Sequence, residues 1–185
     1  MSIIELFILS VGLAMDAFAV SICASLVLAP EQRMKGAMKF GGWFGLFQFL
    51  MPVIGYFAAT LFAEHIMNYD HWIAFTLLLY LGSSMIKEAN EECEVQKSYT
   101  IKEMVVFAIA TSIDALAVGI SFAFLNVNIW TSSIMIGVIT FIISAIGCLM
   151  GFKLGAAFGS KANIFGGLVL IGIGVKILLE HTIFA

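Results

Sequence analysis

Two short stretches decide how this chain is read: Met15-Asp16-Ala17-Phe18-Ala19-Val20-Ser21 and Ile113-Asp114-Ala115-Leu116-Ala117-Val118-Gly119. Each sets one aspartate near the middle of a long apolar run, and the two aspartates stand 98 residues apart. An ionised carboxylate at the centre of a bilayer costs about 2.5–3.5 kcal/mol on insertion scales, so it normally faces a bundle interior or a wet cavity. The pair therefore predicts helices packed around something polar.

The rest of the chain supplies the apolar surroundings. Of 185 residues, 62% are hydrophobic and 11% charged, against about 25% charged in a soluble domain. The mean hydropathy is +1.07. Such a chain cannot cover a globule with a polar skin, which excludes a soluble enzyme, a nucleic-acid binder and a disordered protein. The small net charge of −3 says little about partners. Cys23, Cys93 and Cys148 are scattered and odd in number, which disfavours a disulfide framework or a zinc ribbon. The start of the chain lacks a basic segment, and its first apolar run is too long for a cleavable leader.

Six apolar runs stand at about 3–28, 37–62, 72–87, 103–125, 129–152 and 163–183. Their length matches a bilayer in helical rise, and with only Pro30 and Pro52 present, uninterrupted helices are expected. Loops 1, 3 and 5 hold eight of the nine basic residues: Arg33, Lys35, Lys39, Lys87, Lys97, Lys102, Lys153 and Lys161. Cationic loops stay cytoplasmic, so both termini are expected on the extracytoplasmic side. Lys176, inside the last run, is expected to snorkel or to pair with Glu180.

The two aspartate segments also begin a repeat. Later matches fall 92 residues apart: Gly45 with Gly137, Gly55 with Gly147, Gly82 with Gly174. The expected fold is all-α: a polytopic membrane protein whose six transmembrane helices form two inverted three-helix repeats. Residues 1–88 make the first, 89–101 an acidic cytoplasmic linker and 102–185 the second. Three helices per unit is odd, so the second unit enters from the opposite side, the plan of many secondary transporters. A pseudo-two-fold axis would bring Asp16 and Asp114 near each other at the midplane.

Two neighbouring carboxylates in a low dielectric repel, and protons or a divalent cation relieve them. Carboxylate, hydroxyl and carbonyl oxygens favour magnesium, calcium or manganese, and no histidine occupies a span core to favour zinc or copper. Thr111, three residues before Asp114, is expected on the same helical face. Gln48 lies four residues before Pro52, which frees the Gln48 carbonyl. Asp16, Asp114, Thr111 and Gln48 are thus the candidate metal ligands. Thr140 and Ser144 are the hydroxyl counterparts of Gln48 and Pro52 in the second unit. Glycines four apart at 147, 151, 155 and 159 suit close packing, a sliding seam or a homo-oligomer face.

The segments MDAFAVSI (15–22) and SIDALAVG (112–119), with Gly166-Gly167-Leu-Val-Leu-Ile-Gly172-Ile-Gly174 and His71-Trp72-Ile-Ala-Phe, resemble those of the bacterial MntP-type manganese efflux pumps. The resemblance spans nearly the whole chain. It implies a Mn(II) exporter of the plasma membrane (the bacterial inner membrane), distantly related to the lysine-exporter superfamily, with the family's membrane aspartates on Asp16 and Asp114. Mn(II) is then the transported substrate, with no cofactor, and the bilayer and protons are the other partners. The middle loop is short, and Lys176 stands where a neutral polar residue is expected.

The expected mechanism is alternating access by rocking of the two units, driven by proton exchange at the aspartates. No phosphate-binding GxxxxGK[ST] is present to use ATP. An exporter of an amino acid or other small solute is the rival; its substrate carboxylate would need a cation, and only Lys176 is on offer. Intramembrane aspartyl proteases also carry two membrane aspartates, within Tyr-Asp and Gly-x-Gly-Asp segments, and neither segment matches here.

Overall fold

The structure is a computed structural model and describes residues 1–61, 70–88, 100–125 and 127–183. The acidic residues 89–99 and the histidine at 65 lie outside them. Seven helices account for the six runs: α1 (Ile3–Val27), α2 (Arg33–Thr60), α3 (Asp70–Glu88), α4 (Ile101–Ala110), α5 (Ile113–Phe124), α6 (Ile129–Leu154) and α7 (Ala156–Ile183). A single 3-10 turn, Pro30–Gln32, precedes α2. Five stretches are long and apolar enough to cross a bilayer: Ile3–Leu26, Pro30–Thr60, Ile101–Phe124, Ile129–Lys153 and Phe158–Leu179. The apolar part of α3, Ala74–Lys87, is shorter. The chain is an all-helical membrane protein among its described residues.

Local chemistry sets the helix starts. Ser2 caps α1 by accepting from Glu5 N at 3.2 Å while Glu5 accepts from Ser2 N at 2.9 Å. Thr100 and Glu103 make the same reciprocal box at α4. These boxes satisfy the helix's orphan N–H groups, and their residues stand 98 apart, the spacing of the aspartates. The Asn128 side chain caps α6.

Two expectations about the runs fail. The fourth run is not one helix: Thr111 and Ser112 form a turn between α4 and α5. Ser112 leaves helical geometry at φ −106°, ψ 2°. The fifth separator, expected as a loop over 153–162, is almost wholly helical, and Gly155 alone separates α6 from α7. It takes φ +72°, which glycine adopts without a Cβ penalty. The glycine series 147 to 159 is therefore not one face: Gly147 and Gly151 serve α6, Gly155 the corner and Gly159 α7. Cys23 is disulfide-bonded, contrary to the cysteine count, and Cys148 is free and buried.

The main packing partners run α1–α7–α3–α5–α2–α6 and back to α1, a closed ring of six helices with α4 against α2. Neighbours in that ring alternate between residues 1–88 and residues 101–183. Glycines set the close approaches. A Cβ on Gly45 would lie 2.8 Å from Gly137 O, and one on Gly137 would lie 2.9 Å from Gly45 O. Phe141 packs on Gly45 as Phe49 packs on Gly137. Likewise Gly147 meets Phe18, and Gly55 meets Leu116. Each of these contacts is matched by one between the residues 92 or 98 positions away. Lys176 of α7 is paired with Glu5 of α1; the side chain of Glu180, its expected partner, lies outside the described residues.

Candidate functional site

The ring closes around polar side chains. On α1, Phe18, Ile22 and Ser25 meet α6, while Gly12, Met15 and Ala19 meet α7. Asp16 falls on the remaining side, about 200° around the helix from Phe18 at 3.6 residues per turn. It is only 7% exposed, so that side is the interior and not lipid. On α5, Leu116 and Ile120 meet Gly55 of α2. Asp114 precedes Leu116 by two residues, is turned from that seam by a similar angle, and is half-buried in the first turn of α5. In the ring, α1 and α5 stand opposite each other. The aspartates thus belong to facing walls.

Gln48 and Thr111 are brought together. Gln48 is fully buried on α2, and its Nε2 donates to Thr111 O at 2.9 Å. That carbonyl is open because α4 ends there. The Thr111 hydroxyl donates back to Phe107 O at 3.0 Å. Thr111, expected on one helical face with Asp114, is separated from it by the turn at Ser112.

Sequence reasoning passes over two further groups, Ser133 and Asn163, and sets Ser112 aside as turned away from Asp114. Most hydroxyls in the spans are satisfied by their own helix: Ser10 by Leu6 O, Ser21 by Ala17 O, Ser121 by Ala117 O, Ser132 by Asn128 O. Four buried ones are not. Ser112 Oγ, Ser133 Oγ, Thr140 Oγ1 and Ser144 Oγ make no hydrogen bond to the protein, and neither does Gln48 Oε1. An unmet buried polar atom costs about 1–3 kcal/mol, so such groups call for water or an ion. Asn163 Oδ1 is a further buried, unmet oxygen on α7. It lies between Gly159, which faces Ala19, and Gly166, which faces Gly12 and Met15. That puts it level with Asp16. Ser112 was legible only through the break, Ser133 through its seven-residue spacing from Thr140, and Asn163 not at all, since it stood at the edge of an expected loop.

Among the described residues no three His, Cys, Asp or Glu side chains gather. The candidate donors are two carboxylates and neutral amide and hydroxyl oxygens, a set suited to hard cations.

A helical membrane protein with buried polar side chains within its bundle is the class that fold and site define. The chain belongs to the family described as "Mntp: Putative manganese efflux pump", whose model matches residues 31–178. It is 48% identical over 188 residues to the "Putative manganese efflux pump MntP" of Mannheimia succiniciproducens, with all of both chains covered. It is 50% identical over 184 residues to the protein of that name from Acetivibrio thermocellus, covering 98% of this chain and 92% of that one. The Clostridium perfringens protein of that name is 44% identical over 206 residues, with 98% and 96% covered. No solved structure matches.

Proposed function

We propose that the protein exports Mn(II) across the bacterial plasma membrane as a secondary transporter, not an enzyme, with Asp16 and Asp114 as the charged ligands. One observation supports this reading: Asp16 is buried on α1, Asp114 is half-buried in the first turn of α5, the helix opposite α1 in the ring, and buried oxygens on α2 and α6 meet no protein partner. Family membership supports manganese as the cargo.

Two carboxylates cancel the charge of one divalent ion, which lowers the cost of holding it away from water. Gln48 and Thr111 stand beside the Asp114 turn and supply neutral oxygens. Protons arriving from outside neutralise the carboxylates after release and let the empty carrier return. The paired glycine contacts at spacings of 92 and 98 support two inverted repeats, and hence a site near the axis relating them. Because ring neighbours alternate between the halves, adjacent helices slide along the glycine seams instead of the halves rocking as blocks. Both termini lie extracytoplasmically on the basic-loop argument.

The amino-acid exporter fits less well. The cation considered for its carboxylate, Lys176, is paired with Glu5. Glu5 lies eleven residues, or about 16 Å along the helix, from Asp16.

The test is manganese tolerance and cellular manganese content in a strain lacking its own exporter. The parent chain should lower manganese and restore growth; Asp16→Asn and Asp114→Asn, at equal abundance, should not. Growth of either variant equal to the parent's would remove the site assignment. Vesicle uptake unchanged by an imposed pH gradient would remove the proton.

A further inference from the structure

We infer that Thr140 and Ser144 of α6 hold the cation directly, as neutral oxygen donors on the Asp16 side of the path. This rests on the Mn(II)-carrier reading above and names ligands it does not contain.

Three observations lead there. First, both residues are fully buried with hydroxyl oxygens that meet no protein partner, whereas Ser10, Ser21, Ser121 and Ser132 bond back to their own helices. A serine or threonine in an apolar helix ordinarily takes the carbonyl four residues back. Two hydroxyls four apart that both decline it share one outward target.

Second, the strip faces α1 and the α1–α2 junction. Gly137 and Phe141 meet α2 and Gly147 and Gly151 meet α1; Thr140, two turns before Gly147, lies on the α1-facing row and Ser144 between the two rows. Helices α1 and α6 run parallel, with Gly147 beside Phe18 and Gly151 beside Ile22. One turn back from Gly147, Ser144 is level with residues 14–15 of α1, and Thr140 lies a further turn toward its start. Ser144 is thus level with Asp16, and Thr140 stands about 7 Å nearer the start of α1.

Third, Thr140 stands 92 residues from Gln48, the spacing of the Gly45–Gly137 pair. Gln48 reaches the turn preceding Asp114. The same relation, carried to the other half, sets Thr140 beside the turn of α1 preceding Asp16. Each aspartate then has neutral oxygens from the neighbouring helix of the opposite half. Chemistry asks for this: manganese takes six oxygens, two carboxylates already cancel its charge, and the remaining donors must be neutral.

The experiment uses the full chain in proteoliposomes, with Mn(II) and Cd(II) fluxes and equilibrium binding of each metal. Thr140→Val and Ser144→Ala should weaken Mn(II) binding by about tenfold or more, the effect of losing one bond to a charged group. Thr140→Ser, which keeps the hydroxyl, should restore it. Ser144→Cys should move preference toward the softer Cd(II); a residue that only packs would change both metals equally. The arms separate the two proposals. A parent chain that carries no Mn(II) defeats the exporter reading. A parent that carries it and loses it in Asp16→Asn, while Thr140→Val and Ser144→Ala bind Mn(II) within about twofold of the parent and Ser144→Cys leaves the metal order unchanged, overturns the α6 ligands alone.

Discussion

Gln48 on α2 and Thr111 at the end of α4 are joined across 63 positions of sequence by one buried hydrogen bond, amide to main-chain carbonyl, at 2.9 Å. The bond holds open the break that starts α5 just before Asp114. Gln48→Leu leaves Thr111 O buried and unmet, a loss of about 1–3 kcal/mol. The expected readout is a lower midpoint for heat-induced loss of the monodisperse peak in detergent. An unchanged midpoint would mean the bond is not formed in solution.

The two aspartates should act as one unit. If both are needed to neutralise a single ion, Asp16→Asn, Asp114→Asn and the double variant should all abolish Mn(II) efflux to the same background, since removing one member of a cooperating set costs about as much as removing all. Stepwise, additive losses in vesicle flux would argue for two independent sites.

Glycine positions divide sharply by what surrounds them. A Cβ on Gly119 would strike the main chain of Pro52, and backbone does not give way easily, whereas one on Gly42 meets nothing within 4 Å. Gly119→Ala should destabilise by about 1–3 kcal/mol, the ordinary cost of overpacking. Gly42→Ala, with room for its methyl and a better helix former, should melt at or slightly above the parent in the same heating assay. Equal behaviour of the two would contradict the α2–α5 seam.

Lys176 and Glu5 form a pair whose side chains are 45% and 26% exposed. Solvent screens such a bridge, and it contributes at most about 1 kcal/mol. Lys176→Gln should therefore leave Mn(II) flux and metal preference as they are and cost little stability. A changed metal preference would place Lys176 in the path after all.

Sidedness has its own check. A reporter active only in the cytoplasm should be silent when fused after Ala185 and active when inserted between residues 89 and 99. The reverse result would invert the assigned orientation.

Much of this was legible from residue patterns, and the exceptions have physical causes. The apolar runs and the aspartate pair follow from hydropathy and from the rarity of in-span carboxylates. The break at Thr111–Ser112 did not, because nothing in Ala-Thr-Ser-Ile-Asp forbids a helix; the turn depends on an acceptor for the Gln48 amide supplied by tertiary packing. The 153–162 segment reads as a loop because it is polar and glycine-containing, yet its alanines favour helix and Gly155 alone makes the corner. The capping boxes at Ser2/Glu5 and Thr100/Glu103 are written in the sequence as S-x-x-E and T-x-x-E, a weaker signal than the apolar runs that follow them. The unmet hydroxyls of α6 could not be read, since whether a serine bonds back to its own helix is decided by what lies opposite.

The alternation of early and late helices around the ring has a consequence for biogenesis. When the ribosome has delivered α1, α2 and α3, none of their main neighbours has yet been made, so each must wait in the lipid or beside the translocon, Asp16 included. Shielding arrives only with α5, α6 and α7. The last helix made, α7, closes the circle between α1 and α3.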